Sequence, residues 1–535
     1  MKRRRFLKNT AAAAGTAAAG AGVFNILRHP RDAKAAGWGQ WPQDRAELLI
    51  PDDMRVDKVL EVHFLGGISP WETFYCDPDW GTDVPGYLHL FDNDVNNPNS
   101  AFLACGLNTG GINYTENFAE DAIGRMISMG PWTAPLRRRP DIMSRMRVMV
   151  QHHENLAHEG ANPIAFTGRS LGRPDLAGIG AHIQRYFLEQ PGGERAVPYS
   201  FVLYPTGPGF SPSFAASASA IGFHPGAARP LSVQVQVDSD LSQLLERPGI
   251  PDGYRDQFDA ALNYYGQAYG ARFRPGGQGA ATRSVERGNY DFANFSRRNA
   301  PELTNLLTSD LFEPLASTSC GGMLETANAA DMSSMQARLA QRLLTDPETP
   351  ARYVQWIDVG IAPNPAVGFD VHQGHVLGTA VNVPHTLEQL ANIIATPEQD
   401  AEAEGLLDLD NTLIVLNMEF GRAPDRQGTG DGTNHWPYGY VTVMIGGPVS
   451  DDSRSPGSSI YGWISEDGQE RGLTGENRGR AQEFITAAEN RMMVLDAMGI
   501  YPFSSQSFAV SDIRGSADEI DAATQLRDRI WGLNV

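Results

Sequence analysis

Cysteine is nearly missing from this chain, with Cys76, Cys105 and Cys320 the only three in 535 residues. None falls in a Cys-x-x-Cys pair, which excludes a disulfide-stapled scaffold and a thiolate zinc site; Cys76 with Cys105 is the pairing available in an oxidising compartment, leaving Cys320 odd. Lysine is scarce too, and of four lysines only Lys58 lies beyond residue 35. With 63 acidic against 43 basic residues and a net charge of −20, the chain lacks the basic surface that a phosphate backbone requires, so nucleic-acid binding is excluded. Beyond the first two dozen residues, no apolar run approaches the ~20 residues of a membrane-spanning helix.

What the N-terminus does contain is "RRRFLK" (Arg3 to Lys8), followed by a weakly apolar Ala/Gly-rich run to about Phe24. This is the pattern of a twin-arginine export signal, with cleavage expected near Ala36 and a periplasmic or secreted mature protein. The expected organisation is a signal over 1–35, an extension over 36–56, and one domain over 57–535. A Gly/Arg/Asn-rich helix and loop insertion is expected at about 240–330.

Strand-like runs recur at 58–67 (KVLEVHFLGG), 146–153 (MRVMVQHH), 199–205 (YSFVLYP), 353–360 (YVQWIDVG), 412–421 (TLIVLNMEFG) and 440–447 (YVTVMIGG). Several are almost continuously apolar, as strands covered on both faces are. Helical patterns lie between them, at 333–344, 490–499 and 386–395, the last opening on a Thr386/Gln389 capping box. Alternating strands and helices predict an α/β fold with a mostly parallel central sheet covered on both sides. In such sheets ligands bind beyond the carboxyl ends of the strands.

Histidine is sparse, 12 in all, yet six gather in three short segments that follow strand-like runs: "QHHENLAHEG" (His152, His153, His158), "GFDVHQGH" (His372, His375) and "TNHWP" (His435). Carboxylates accompany them in Glu154, Asp370 and Glu419. Imidazoles and carboxylates offered by neighbouring strand ends suit zinc, manganese or iron, and a metal so held favours hydrolysis by polarising an ester oxygen and activating water. His152 and His153 point to opposite faces if the strand continues, so one of them at most is expected to face the site.

The segments "NTLIVLNMEFGRAP", "GTNHWP", "MIGGPV" and "IYGWISEDG", with "GFDVH", "HFLGGISPWETF" and "AHEGANPIAFTGR", occur in a consistent order across residues 57–503. In this the chain resembles the exported bacterial family called domain of unknown function 1501, within the alkaline phosphatase and sulfatase superfamily. The resemblance implies an alkaline phosphatase-like three-layer α/β/α sandwich with divalent metal ions (zinc, manganese or calcium) at its strand ends. It implies metal ligation by Asp370, His372, Glu419 and His435, with His375 as an additional local candidate and Glu72 standing where the first motif has an Asp. Departures are also visible: Pro70 replaces a family His, no Ser or Thr precedes His158, no Cys-x-Pro-x-Arg stretch exists, and Phe420 stands where phosphatases carry a second ligand.

The function expected is therefore that of a metal-dependent hydrolase acting on a small anionic substrate, a phosphate or sulfate ester. Glu154 or His158 would handle protons, and Arg422 or Arg169 would neutralise the anion. A catalytically silent envelope protein with a binding or assembly role is the alternative, motivated by the missing nucleophile. An extracytoplasmic metal-binding protein using "HHENLAHEGAN" would leave Asp370, Glu419 and His435 unexplained.

Overall fold

The computed structural model describes residues 37–77, 115–170, 177–193, 197–205, 230–235, 252–272, 332–360, 368–372, 375–426, 432–450, 452–465, 479–504 and 506–534. The signal segment, Cys105, Cys320 and most of the 240–330 insertion lie outside these residues. Cys76 is buried.

Eight strands form the main sheet, β1 (Lys58–Phe64), β4 (Met146–Gln151), β5 (Ser200–Pro205), β6 (Leu231–Val235), β7 (Tyr353–Asp358), β8 (Thr412–Asn417), β11 (Tyr440–Ile445) and β12 (Ser459–Tyr461). Their spatial order is β12-β4-β11-β8-β1-β7-β5-β6. All pair in parallel except β11, which runs antiparallel between β4 and β8. Three two-stranded ribbons complete the sheets: β2 (Glu116–Glu120) with β3 (Met126–Met129), β9 (Gly421–Arg426) with β10 (Thr433–Trp436), and β13 (Trp463–Ile464) with β14 (Ala481–Glu483).

The longer helices are α1 (His158–Thr167), α2 (Ile179–Glu189), α3 (Asp252–Arg272), α4 (Met332–Thr345), α5 (His375–Asn392) and α6 (Ala487–Ala497). Alternation along β1 explains how they divide between the two faces. Leu60, Val62 and Phe64 pack into one core with Leu339 and Leu343 of α4 and Leu387 and Leu390 of α5. Val59 faces the other way, into a core with Ile179 and Ile183 of α2 and Met492 and Leu495 of α6. The molecule is thus mixed α/β, a large and mostly parallel sheet flanked by helices, as the alternating pattern predicts.

One helix start departs from expectation. α5 begins at His375 rather than at Thr386 and runs through Pro384. The Thr386 hydroxyl does not cap a helix; it donates to the buried Asp358 carboxylate at 2.6 Å. Packing of Val383, Leu387 and Leu390 in the core outweighs the local start signal. No helix among the described residues is long and apolar enough to cross a membrane.

Candidate metal centre

The exit from β1 sets the geometry. Gly66 and Gly67 have φ of +105° and +76°, and a Cβ on them would lie 2.3 Å from the Asp370 nitrogen and 2.1 Å from the Phe420 oxygen. Only glycine adopts that backbone and permits that approach. Segments separated by some 300 residues in sequence thereby touch through their main chains. Gly66 N–H then donates to Glu419 Oε1 at 2.7 Å, and Gly66 O accepts from Arg422 Nη1 at 3.1 Å.

Glu419, two residues past the end of β8, is fully buried. His158 Nδ1 lies 2.9 Å from its Oε1, and His63 Nε2 lies 3.2 Å from its Oε2. Burial opposes the charge on Glu419, but hydrogen bonds from His158 and His63 lower its carboxyl to about 2. A carboxylate only accepts, so His158 carries hydrogen on Nδ1 and turns Nε2 toward Asp370 Oδ2, 3.3 Å away. Burial alone would lower His158; its bonds to Asp370 and Glu419 outweigh that and raise it to about 10.

Asp370 is the hub. Its Oδ1 lies 3.0 Å from His435 Nε2, 3.2 Å from His372 Nε2 and 3.0 Å from Arg422 Nη1. Burial works against its ionisation, but His158, His435 and Arg422 hold the Asp370 carboxyl well below the usual carboxylate range. His435 Nδ1 lies 2.7 Å from the Leu156 carbonyl. A carbonyl cannot donate, so Nδ1 holds the hydrogen and Nε2 is turned into the cluster. There it meets the Asp370 oxygen and, at 3.0 Å, His372 Nε2. Three imidazole nitrogens thus gather on one carboxylate, the donor set of a divalent cation, which would displace the hydrogens they carry.

The spacing fits one. His158, Asp370 and His435 offer ligand atoms all within 4.8 Å of one another. Ligands about 2.1 Å from a tetrahedral ion are roughly 3.4 Å apart, close to the 3.0 and 3.3 Å separations between Asp370 and the two imidazoles. Both ligand imidazoles have their other nitrogen engaged by an oxygen, the outer arrangement that fixes metal-binding histidines. The set is half-open to solvent, with Asp370 and His372 side chains 44% and 40% exposed.

The remaining expected residues are placed differently. Glu419, expected to bind metal, accepts at Oε1 from Gly66 and His158, which orients His158, while its Oε2 faces His63 Nε2 at 3.2 Å and lies outside the three-residue cluster. Arg422 is fully buried, with its guanidinium given to Asp370, Gly66 and Thr433, so it serves as the counter-ion of Asp370. Arg169 bonds Asp512 and Ser507. Glu154 is 71% exposed and pairs with His152 at 2.8 Å outside the three-residue cluster. Glu72 is buried on the turn Pro70–Glu72, also outside that cluster. His375 opens α5, and its side chain lies outside the described residues.

Sequence reasoning missed two contributors, His63 and Asn162, which meet at 3.1 Å behind Glu419. Of the adjacent pair, His153 reaches the Glu419 carbonyl at 2.5 Å, and His152 pairs with Glu154. The signal for His63 was the run "KVLEVHF", in which Glu61 and His63 share one face of an otherwise apolar strand. His435 lies on β10, in the hairpin that precedes the antiparallel strand β11, which is how it reaches the carboxyl ends of the parallel strands.

Residues 120–471 match the model of a family described as "Protein of unknown function (DUF1501)". The matched stretch contains the whole His158, Asp370 and His435 cluster, whereas His63 and the Gly66–Gly67 turn precede it. No curated protein matches the chain.

Proposed function

Since the chain belongs to the DUF1501 family of proteins of unknown function, its chemistry has to be argued from its own side chains, and we propose a metal-dependent hydrolase acting on phosphate or sulfate esters. The protein would be exported through its twin-arginine signal and built on an alkaline phosphatase-like sandwich. The observation that carries this reading is the convergence of His158, Asp370 and His435 at the carboxyl ends of the parallel strands. His158 Nε2, His435 Nε2 and an Asp370 oxygen would hold a single divalent ion, with His372 beside them. Two or three imidazoles favour zinc or manganese over calcium.

Such an ion polarises an ester oxygen and acidifies bound water. The chain's own residues prepare the site for it. Glu419 and the Leu156 carbonyl fix two imidazoles, while Arg422 anchors Asp370 and offsets its charge. Glu154, exposed and paired with His152, would exchange a proton with solvent during turnover. A negative substrate would be met by the ion, because Arg422 and Arg169 are both committed within the protein.

The test is metal content and turnover of the mature protein. Loading with zinc or manganese is expected to give stoichiometric binding and hydrolysis of aryl phosphates or sulfates, and Glu154→Gln is expected to lower kcat by about 10²–10⁴-fold with metal retained. Failure of the wild type to retain any stoichiometric metal would end the reading. One observation favours a silent binding protein instead: the turn between β4 and α1 presents Glu154, Asn155, Leu156 and Ala157, with no hydroxyl nucleophile. Metal binding without turnover on any ester would select it.

A further inference from the structure

His63 is fully buried in the middle of the sheet and packs at 4.6 Å against the Phe166 ring of α1. Its Nε2 lies between two oxygens, Asn162 Oδ1 at 3.1 Å and Glu419 Oε2 at 3.2 Å. Both accept, so Nε2 carries the hydrogen. The two oxygens of Glu419 are thereby divided: Oε2 faces His63 Nε2 across 3.2 Å, and Oε1 is shared by Gly66 N–H and His158 Nδ1. Turning Glu419 away from His158 would break the Gly66 bond and part Oε2 from the polar edge of His63. We propose that His63 is a positioning residue, the innermost member of a His63–Glu419–His158 chain that makes His158 present Nε2 to the cation site.

This rests on the metal reading above, and its test separates the two. In His63→Gln the amide nitrogen falls near the place of Nε2 and keeps a donor facing Asn162 and Glu419; His63→Leu fills the space without a donor. Calorimetric titration with zinc is expected to show affinity weakened about 10–100-fold in the leucine variant, as for other outer partners of ligating histidines, and restored to within a few-fold of wild type in the glutamine variant. Equal affinities for all three proteins, or equal losses in both variants, would reduce His63 to packing.

A second arm needs no metal and serves if the leucine variant does not fold. In metal-free protein with 15N-labelled histidine, the His63 Nε2–H signal is expected to be protected from solvent exchange and to move in Glu419→Gln. An unprotected signal, or one indifferent to that substitution, overturns the proposal. If the wild type binds no zinc, the metal reading fails while the nitrogen signals still decide the role of His63.

Discussion

Glu61 and His63 lie two residues apart on the same face of β1, and the charged clusters they adjoin, one around Glu61 and one reaching Asp370 through Glu419 and His158, are built differently. Around Glu61 every contact is a donor meeting an acceptor: Arg491 Nη1 at 2.6 Å and Tyr353 O–H at 2.8 Å reach Oε2, and Asn417 Nδ2 at 2.9 Å reaches Oε1. Both charges are shut away from water, at 0% and 1% side-chain exposure. Burial penalises Glu61, but the Arg491 charge, with bonds from Asn417 and Tyr353, brings its carboxyl below the ordinary value. Around Asp370 one guanidinium and three imidazoles share two oxygens, and the cluster opens to solvent. A buried ion network that closes on itself is scaffold; one whose imidazoles gather on a carboxylate at an opening can exchange hydrogens for a cation.

The largest effect is expected where the open cluster loses its hub. Asp370→Asn keeps an oxygen for Arg422 but removes the charge, so zinc affinity should fall by more than the ~10–100-fold typical of an outer partner. Wild-type protein should gain roughly 2.7 kcal/mol of stability at a metal concentration a hundredfold above Kd, and the variant should gain almost none. Calorimetry and thermal unfolding with and without zinc check this. An unchanged zinc response in Asp370→Asn would erase the distinction between the clusters.

The complementary cut is Arg491→Met, which strands Glu61 without its counter-charge in the sheet. Removing one partner of a buried pair costs about 3–5 kcal/mol, and urea unfolding should register it. Zinc affinity of the folded fraction should stay near wild type. If it falls as well, Glu61 and His63 act as one network and the closed cluster belongs to the site.

The contrast also shows what the sequence made legible. All six strand-like runs are strands, because near-continuous apolar runs bounded by glycine or polar turns leave little choice in a covered sheet. Asp370, His372 and His435 were readable because residue type and position after strands point the same way. The division of labour between Glu419 and its neighbours was not readable: whether a carboxylate binds an ion or steers a histidine depends on which atoms meet its two oxygens. Those atoms come from Gly66, His158 and His63, far apart in the chain. Capping boxes teach the same lesson. The Thr386/Gln389 box lies in mid-helix, overridden by packing, while an unread one at Thr486/Glu489 does open α6, with both reciprocal bonds formed.

The smallest expected effect concerns Asp496, on the scaffold side, where one carboxylate breaks the rule of closure. It is fully buried near the end of α6. Burial pushes its carboxyl up to about 8, with Arg527 and the Trp531 indole compensating only in part. Its folded value therefore lies above the unfolded value of about 3.9. The folded protein keeps a proton that the unfolded chain releases, so the contribution to stability is complete below about pH 4 and drains away as pH rises toward 8. Asp496→Asn, which has nothing to ionise but buries an amide, should start below wild type near pH 4 by the cost of that burial, gain steadily as pH rises, and lead by on the order of 1–2 kcal/mol at about pH 8. Unfolding midpoints of both proteins across that range give the curve. A pH-independent difference, or an advantage that grows toward acid, would mean that Asp496 is ionised in the fold and that the scaffold closes there by a partner other than a proton.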